Sequence, residues 1–449
     1  MKYHVITLGC QMNLSDGERV ISVLNDAGYE WTDKEEEANI IGILACSVRQ
    51  KAIDKVYSRI YKWNKWKNNK NLLTFISGCV LPDDQEKFLK LFDIVFQMKD
   101  LPQLPEMISH YGVTTAATQH RVGIDPTNEN IEEFWNVQPQ YQSKFEAFIP
   151  IQNGCDKFCT YCAVPFTRGR EVSRPSKDII AEVSLLVAQG YKSITLLGQN
   201  VNSYGLDKKG AELTFPQLLR EIGELGNRMK KEFWLYFTSP HPRDMTDEVF
   251  EVIAEYPVLA KQIHLPMQSG DDKVLMRMNR KHNMERYRNI VKTIWRVLPQ
   301  ATIFTDIIVG FTGETEEQFE NTRKALIEFK FNMSYTAIYS PRPGATSHRW
   351  VDDVPQEEKK RRLHVLTEEL RKHNLPYNTS LIGQTKRLLV RGVDRKPGFL
   401  TGHTEGKLIV RFPAEDEKLI GQFVDVKITS ASDFSMEGEL VKVEAEAVS

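Results

Sequence analysis

The sequence predicts a multidomain α/β protein that ends in a small all-β barrel. Three observations carry this. Short apolar runs alternate with helical stretches through most of the chain. The alternation fades once, between about residues 112 and 144. Beyond residue 380 it gives way to β-runs separated by Gly and Pro. The expected domains are an N-terminal parallel α/β domain over 1–115, a linker over 116–144, a middle α/β domain over 145–375 and a β-barrel over 376–449.

In the first domain, Tyr3–Leu8, Asn39–Leu44 and Leu72–Ser77 read as strands, with a fourth at Asp93–Phe96. Gly17–Ala27 and Val48–Trp66 read as helices between them. Thr114–Gln119 and Pro126–Asn130 have linker composition. In the middle domain the strands are Ala147–Ile151, Ser193–Leu197, Phe233–Phe237, Ile263–Leu265, Thr302–Val309 and Ser334–Ile338. Six βα units in about 195 residues are too few for an eight-fold barrel of about 250, so a partial (β/α)6 barrel is expected. A charged helix, Gln356–His373, leads to strands at Arg387–Val390, Lys407–Phe412, Phe423–Ile428 and Glu439–Val443.

The chain has 449 residues, is 41% hydrophobic and carries a net charge of −1, which excludes a wholly basic, histone-like binder. It has no run of 18 apolar residues, and Met1–Ile6 lacks the segments of a secretory signal, so no membrane association is expected. Six cysteines are too few for a disulfide scaffold. Reduced thiols and a cytoplasmic location follow as the expectation, and clustered cysteines become candidate metal ligands.

The cysteines fall into two groups of three. Cys155, Cys159 and Cys162 follow directly on the first strand of the middle domain, at the strand end where α/β barrels place their chemistry. A structural zinc site or an electron-transfer cluster takes four protein ligands; three ligands on a 4Fe–4S cube leave one iron open. Unrelated thiols, or zinc with a distant histidine, are the alternatives. Cys10, Cys46 and Cys79 are far apart in sequence, yet each closes an apolar strand run. Strands of a parallel sheet end on one rim, so these three are expected to meet there as a second triad. The alternative for each is a simple buried cysteine.

Gly154-Cys155-Asp156-Lys157-Phe158-Cys159-Thr160-Tyr161-Cys162 resembles the cluster motif of the radical S-adenosylmethionine (SAM) enzymes. Pro165–Pro175 and Leu8-Gly9-Cys10-Gln11-Met12-Asn13 are similar to their methylthiotransferase family. Leu197–Tyr204 and Val351–Pro355 resemble its MiaB-type tRNA enzymes, the 2-methylthio-N6-isopentenyladenosine synthases. The resemblance covers nearly the whole chain, in the order cluster domain, radical SAM barrel, TRAM barrel. Leu44-Ala45, where the family has Asn-Thr, Val80 after the third cysteine, and Thr312 in Gly310–Glu314, where Pro is common, depart from the pattern.

The resemblance implies two 4Fe–4S clusters and two SAM molecules per turnover. The Cys155/Cys159/Cys162 cluster would bind and reduce SAM to give a 5′-deoxyadenosyl radical. The Cys10/Cys46/Cys79 cluster would carry the sulfur inserted at adenine C2, and a second SAM would donate the methyl group. The product would be 2-methylthio-N6-isopentenyladenosine at position 37 of the tRNA anticodon loop. An external electron donor such as flavodoxin or ferredoxin, a sulfur source and a monomeric state are expected with it. For SAM itself the resemblance points to Gln199 and Asn200 after the second strand, Gln268, Asp306, and Tyr161 between two cluster cysteines. A polar residue at a strand end is equally a helix cap. The alternative activities are methylthiolation of an aspartate in a small-subunit ribosomal protein or of threonylcarbamoyl-adenosine in tRNA; a non-catalytic zinc module is a third class.

One local charge pattern stands apart from the family motifs. Between Arg49 and Lys70 there are eight basic residues and one acid, Asp54. Lys51, Lys55, Arg59 and Lys62 share one helix face, with Tyr57, Tyr61, Trp63 and Trp66 interleaved. Basic groups bind phosphates and aromatics stack on splayed bases, so this face is a candidate RNA contact. The alternative is a solvated face over an aromatic core edge. The C-terminal barrel is near neutral, so an RNA role there rests on the resemblance alone.

Overall fold

The computed structural model describes residues 1–46, 50–111 and 131–441, apart from the side chains of Gln50, Lys51, Pro82, Asp83 and Tyr111. Among these, β1 (Lys2–Thr7), β2 (Glu30–Trp31), β3 (Ile40–Cys46), β4 (Leu73–Cys79) and β5 (Ile94–Val95) form one sheet. Its order is β2-β1-β3-β4-β5 and every pair is parallel. Side chains on a strand alternate between faces, and β3 shows both. Ile40 and Leu44 pack with Val20, Ile21 and Leu24 of α1 (Gln11–Asp26). Ile41, Ile43 and Ala45 pack with Ile53, Val56, Ile60 and Trp63 of α2 (Gln50–Trp66). The sheet is therefore covered on both sides, as buried parallel strands require.

The main strands lie within two residues of their expected places. Helix α1 does not: it begins at Gln11, not Gly17. Its first turns carry Asn13, Ser15, Asp16, Glu18 and Arg19, all buried. They face the middle domain, where Ser15 Oγ donates to Phe148 O at 3.1 Å and Gln142 N donates to Glu18 Oε1 at 3.0 Å. A buried polar face leaves no apolar period to read. Helices α3 (Pro82–Phe88) and α4 (Leu104–Tyr111) follow. Part of the segment read as linker is also structured. Helix α5 (Ile131–Asn136) buries Ile131, Phe134 and Trp135 in the N-terminal core. Thr114–Gln119, Pro126–Asn130 and the helix start at Val48 and Arg49 lie outside the described residues.

The middle domain holds β6 (Glu146–Pro150), a short antiparallel ribbon of β7 (Gln152–Asn153) and β8 (Val172–Ser173), then β9 (Ser193–Leu197) and β10 (Trp234–Phe237). β11 (Gln262–His264), β12 (Thr302–Val309) and β13 (Met333–Ile338) complete it. Two parallel sheets, β10-β9-β6 and β11-β12-β13, are joined by a parallel bridge between Leu235 and Leu259. One apolar core runs beneath both. This is the expected open barrel of six strands. The charged helix extends to Thr379, past Pro376.

The C-terminal strands β14 (Thr385–Val393), β15 (Phe399–Thr404), β16 (Ile409–Pro413), β17 (Phe423–Ala431) and β18 (Ser435–Leu440) close into a barrel. The sequence suggested four strands; β15 was hidden because Gly402 and three threonine or histidine residues dilute its β-pattern. The barrel docks on the first residues of the middle-domain strands. Tyr236 Oη donates to Glu405 O at 3.0 Å and Thr302 Oγ1 to Gly406 O at 2.7 Å. Arg391 pairs with Glu146 at 2.5 Å. No described helix is long and apolar enough to cross a membrane.

Candidate active site between two cysteine triads

Cys46 and Cys79 are the last residues of β3 and β4 and are direct neighbours in the parallel register. Cys10 sits where β1 turns into α1. Asn13 Nδ2 donates to both Leu8 O and Ala45 O at 2.8 Å, which ties the ends of β1 and β3. Gly78 has a left-handed φ of 98°, and a Cβ there would lie 2.6 Å from Ala45 O. Only glycine lets β4 turn Cys79 in so closely. Burial pushes the Cys79 thiol up to about 12; Arg168 opposes this, and Cys10 and Cys46 add to it. Each thiol is free of disulfides.

The second triad lies on the loop after β7. Gly154 has φ 78°, and a Cβ there would be 1.9 Å from Arg170 O, so the chain crosses itself just before Cys155. Cys155 N donates to Gly169 O at 3.2 Å, and Thr160 N to Met278 O at 3.1 Å. Arg280 Nη1 lies 3.5 Å from Cys159 Sγ and 3.4 Å from Tyr161 Oη. Burial pushes Cys155 and Cys162 up to about 12. Protonated, crowded and buried thiols are what a metal centre displaces protons from on binding.

Among the described residues, no three His, Cys, Asp or Glu side chains close on a single metal ion. A 4Fe–4S cube does not require that, because each thiolate bonds a different iron. The donor set, soft thiols in threes at two strand rims, fits such clusters.

Arg168, the last residue of α6 (Val164–Arg168), spans the two triads. Its Nε donates to Cys79 Sγ at 2.9 Å, and its Nη2 to Asp16 Oδ2 at 2.5 Å. Its own carbonyl accepts from Asn153 Nδ2 at 3.0 Å, next to the second cysteine loop.

Around the second triad, Gln268 N donates to Asp306 O at 2.8 Å, so these two expected residues are neighbours. Asp306 Oδ2 is 3.2 Å from His264 Nε2. Tyr161 is in the same field: burial pushes its phenol well up, Arg280 opposes this, and Cys159, Cys162 and Asp306 add to it. Asn200 Nδ2 donates to Asp244 Oδ2 at 2.9 Å, and Asp244 pairs with Lys157 of the cluster loop at 2.8 Å. Gln199 Oε1 and Asn200 Oδ1 are buried with no protein partner. Buried unmatched acceptors beside a cluster loop suit a polar ligand.

The basic face of α2 is only partly available. Arg59 pairs with Glu35, and Lys62 lies 3.3 Å from the same carboxylate. Trp63 is fully buried and donates to Glu35 Oε2 at 3.2 Å. Lys55 is exposed, and the Lys51 side chain lies outside the described residues. Sequence reasoning missed Asn13, Asp16, Lys157, Arg168, Asp244 and Arg280. Asn13 and Arg168 lie inside motifs used for the family resemblance, but nothing in one sequence shows that their side chains meet.

Residues 149–326 match the radical SAM superfamily, residues 2–98 match Uncharacterized protein family UPF0004, and residues 379–441 match the TRAM domain. The chain is similar to the tRNA-2-methylthio-N(6)-dimethylallyladenosine synthase of Cronobacter sakazakii, 38% identical over 99% of this chain and 93% of that one. Its likeness to the synthase of the same name from Baumannia cicadellinicola is 39% over 98% and 97%. Among solved structures, it resembles the radical SAM methyltransferase TsrM from Kitasatospora setae. The TM-score is 0.55 at 14% identity, covering 91% of this chain and 81% of that one. That likeness concerns the fold.

Proposed function

We propose, for a chain that belongs to the family of tRNA-2-methylthio-N(6)-dimethylallyladenosine synthases, that it methylthiolates C2 of N6-isopentenyladenosine at position 37 of the tRNA anticodon loop. As a radical SAM enzyme it uses a 4Fe–4S cluster and SAM. When bound, they supply the one-electron chemistry that an adenine C2–H, neither acidic nor hydridic, requires. Cys155, Cys159 and Cys162 hold the cluster that SAM meets. Tyr161, Gln199, Asn200, Gln268 and Asp306 orient SAM; the buried Arg280 guanidinium compensates thiolate charge beside Cys159. Cys10, Cys46 and Cys79 hold a second cluster carrying the sulfur, and a second SAM provides the methyl group. The target base enters between the triads, with tRNA phosphates along the α2 face at Lys51, Lys55, Arg59 and Lys62. Electrons come from a carrier such as flavodoxin or ferredoxin.

The observation that carries the reading is the Arg168 bridge, which sets one triad directly beside the loop of the other. Sulfur held at one centre is then close to chemistry begun at the other. The test uses anaerobically reconstituted enzyme with SAM, a reductant and tRNA bearing N6-isopentenyladenosine, followed by mass spectrometry of the nucleosides. The methylthio nucleoside, with about eight irons per chain, is the expected result. Product only from threonylcarbamoyl-adenosine tRNA, or only from a small-subunit ribosomal protein, would replace this substrate assignment. About four irons per chain would end the two-cluster reading.

A further inference from the structure

We propose that Arg168 is a positioning residue for the N-terminal triad: a guanidinium supplied by the middle domain that fixes Cys79 Sγ and makes the centre bound there easier to reduce. This rests on the reading that Cys10, Cys46 and Cys79 hold a cluster.

The Arg168 side chain is 5% exposed and that of Asp16, its carboxylate partner, is 0% exposed. A buried guanidinium is tolerated only when its charge and its donors are met. Asp16 meets the charge at 2.5 Å. Asn13 Oδ1 at 3.2 Å and Asn153 Oδ1 at 3.3 Å take two further donor contacts. The remaining printed contact runs from Nε to Cys79 Sγ at 2.9 Å. A neutral thiol sulfur is a weak acceptor, whereas a thiolate takes a charge-assisted bond. The contact is therefore strongest in the state in which Cys79 ligates metal.

Both sides of this contact are fixed. Asn13, which shares the guanidinium, is itself pinned by its bonds to Leu8 O and Ala45 O. Asn153 grips Arg168 twice, accepting from Nη1 and donating to the Arg168 carbonyl. The sulfur and the guanidinium therefore meet in one geometry. Hydrogen bonds to cluster sulfurs and nearby positive charge raise a cluster's potential. Lysine keeps the charge but not the planar fork, so it cannot serve Cys79, Asp16 and Asn153 together.

The experiment isolates the N-terminal centre by replacing Cys155, Cys159 and Cys162 with Ala in the full chain, then reconstituting with iron and sulfide. Into this background go Arg168→Lys and, separately, Arg168→Gln with Asp16→Asn, which strands no buried carboxylate. The midpoint potential is read by redox titration with electron paramagnetic resonance, and cluster retention by chelator challenge. Both variants should titrate at more negative potential, the double variant furthest, with cluster affinity reduced by about 10–100-fold. An unchanged potential and unchanged chelator resistance in Arg168→Lys, with only a lower melting temperature, would make Arg168 a domain clamp and overturn the proposal. Failure of the parent background to bind any cluster would overturn the two-cluster reading beneath it, before any Arg168 variant is compared.

Discussion

The two triads reach similar ends by opposite routes. Cys155, Cys159 and Cys162 lie within one short loop, and local turns shape them: Gly154 lets the chain cross itself, and Thr160 anchors the loop to Met278. Cys10, Cys46 and Cys79 are brought together only by a finished sheet, with Asn13 tying two strand ends. A local site is specified by spacing. An assembled site is specified by register, so it inherits every error in strand pairing.

The largest test of this contrast is Cys159→Ala. It should abolish reductive SAM cleavage yet leave the N-terminal cluster in place, seen as loss of 5′-deoxyadenosine with about four irons retained. Undiminished cleavage would dissolve the division of labour. Cys46→Ala should do the reverse, sparing 5′-deoxyadenosine formation and stopping the methylthio product. Normal product formation would mean the assembled triad is not the sulfur carrier.

Two substitutions probe how each triad is held. Gly154→Ala forces a Cβ into the Arg170 carbonyl and should cost about 2–4 kcal/mol in denaturant unfolding. Asn13→Ala leaves two buried carbonyls without their donor and should cost about 1–3 kcal/mol. Its iron loss should fall on the N-terminal centre, measured in the background lacking the other three cysteines. Equal loss at both centres would show that the triads are not separately built. The smallest effect belongs to α2: Lys55→Glu should lower the salt slope of tRNA binding by about one unit, and Arg59→Glu by less, because Glu35 already holds Arg59. Wild-type slopes in both would mean that the face is solvated surface.

Legibility in the sequence follows the same division. Apolar strands such as β3 and β12 announce themselves, so the sheet, the partial barrel and both cysteine triads were readable. The first turns of α1 were not, because Asn13, Ser15, Asp16, Glu18 and Arg19 are polar residues buried against another domain. Arg168 shows the limit most clearly. Its partners Asp16 and Asn13 lie some 150 positions upstream, and only the tertiary fold introduces them. Gln268 and Asp306 were anticipated by resemblance; their adjacency came from the pairing of β12 with the strand end before Gln268. The basic face of α2 was legible as charge, but Glu35, which draws Arg59 and Lys62 aside, stands on a short turn that the charge pattern ignores.

An open barrel of six strands has a floor as well as a mouth. Here the β15–β16 turn is that floor: Glu405 and Gly406 hydrogen-bond to Tyr236 and Thr302, and Lys407 Nζ lies 4.2 Å from the Tyr236 ring centroid. Trp234 stacks edge-on against Phe423 at 4.6 Å. The C-terminal domain thus acts as a stopper, whatever else it grips. A fragment truncated at Ser380 would uncover Trp234 and Tyr236 at the base of the barrel and admit water from below, on the side away from the cysteine loops.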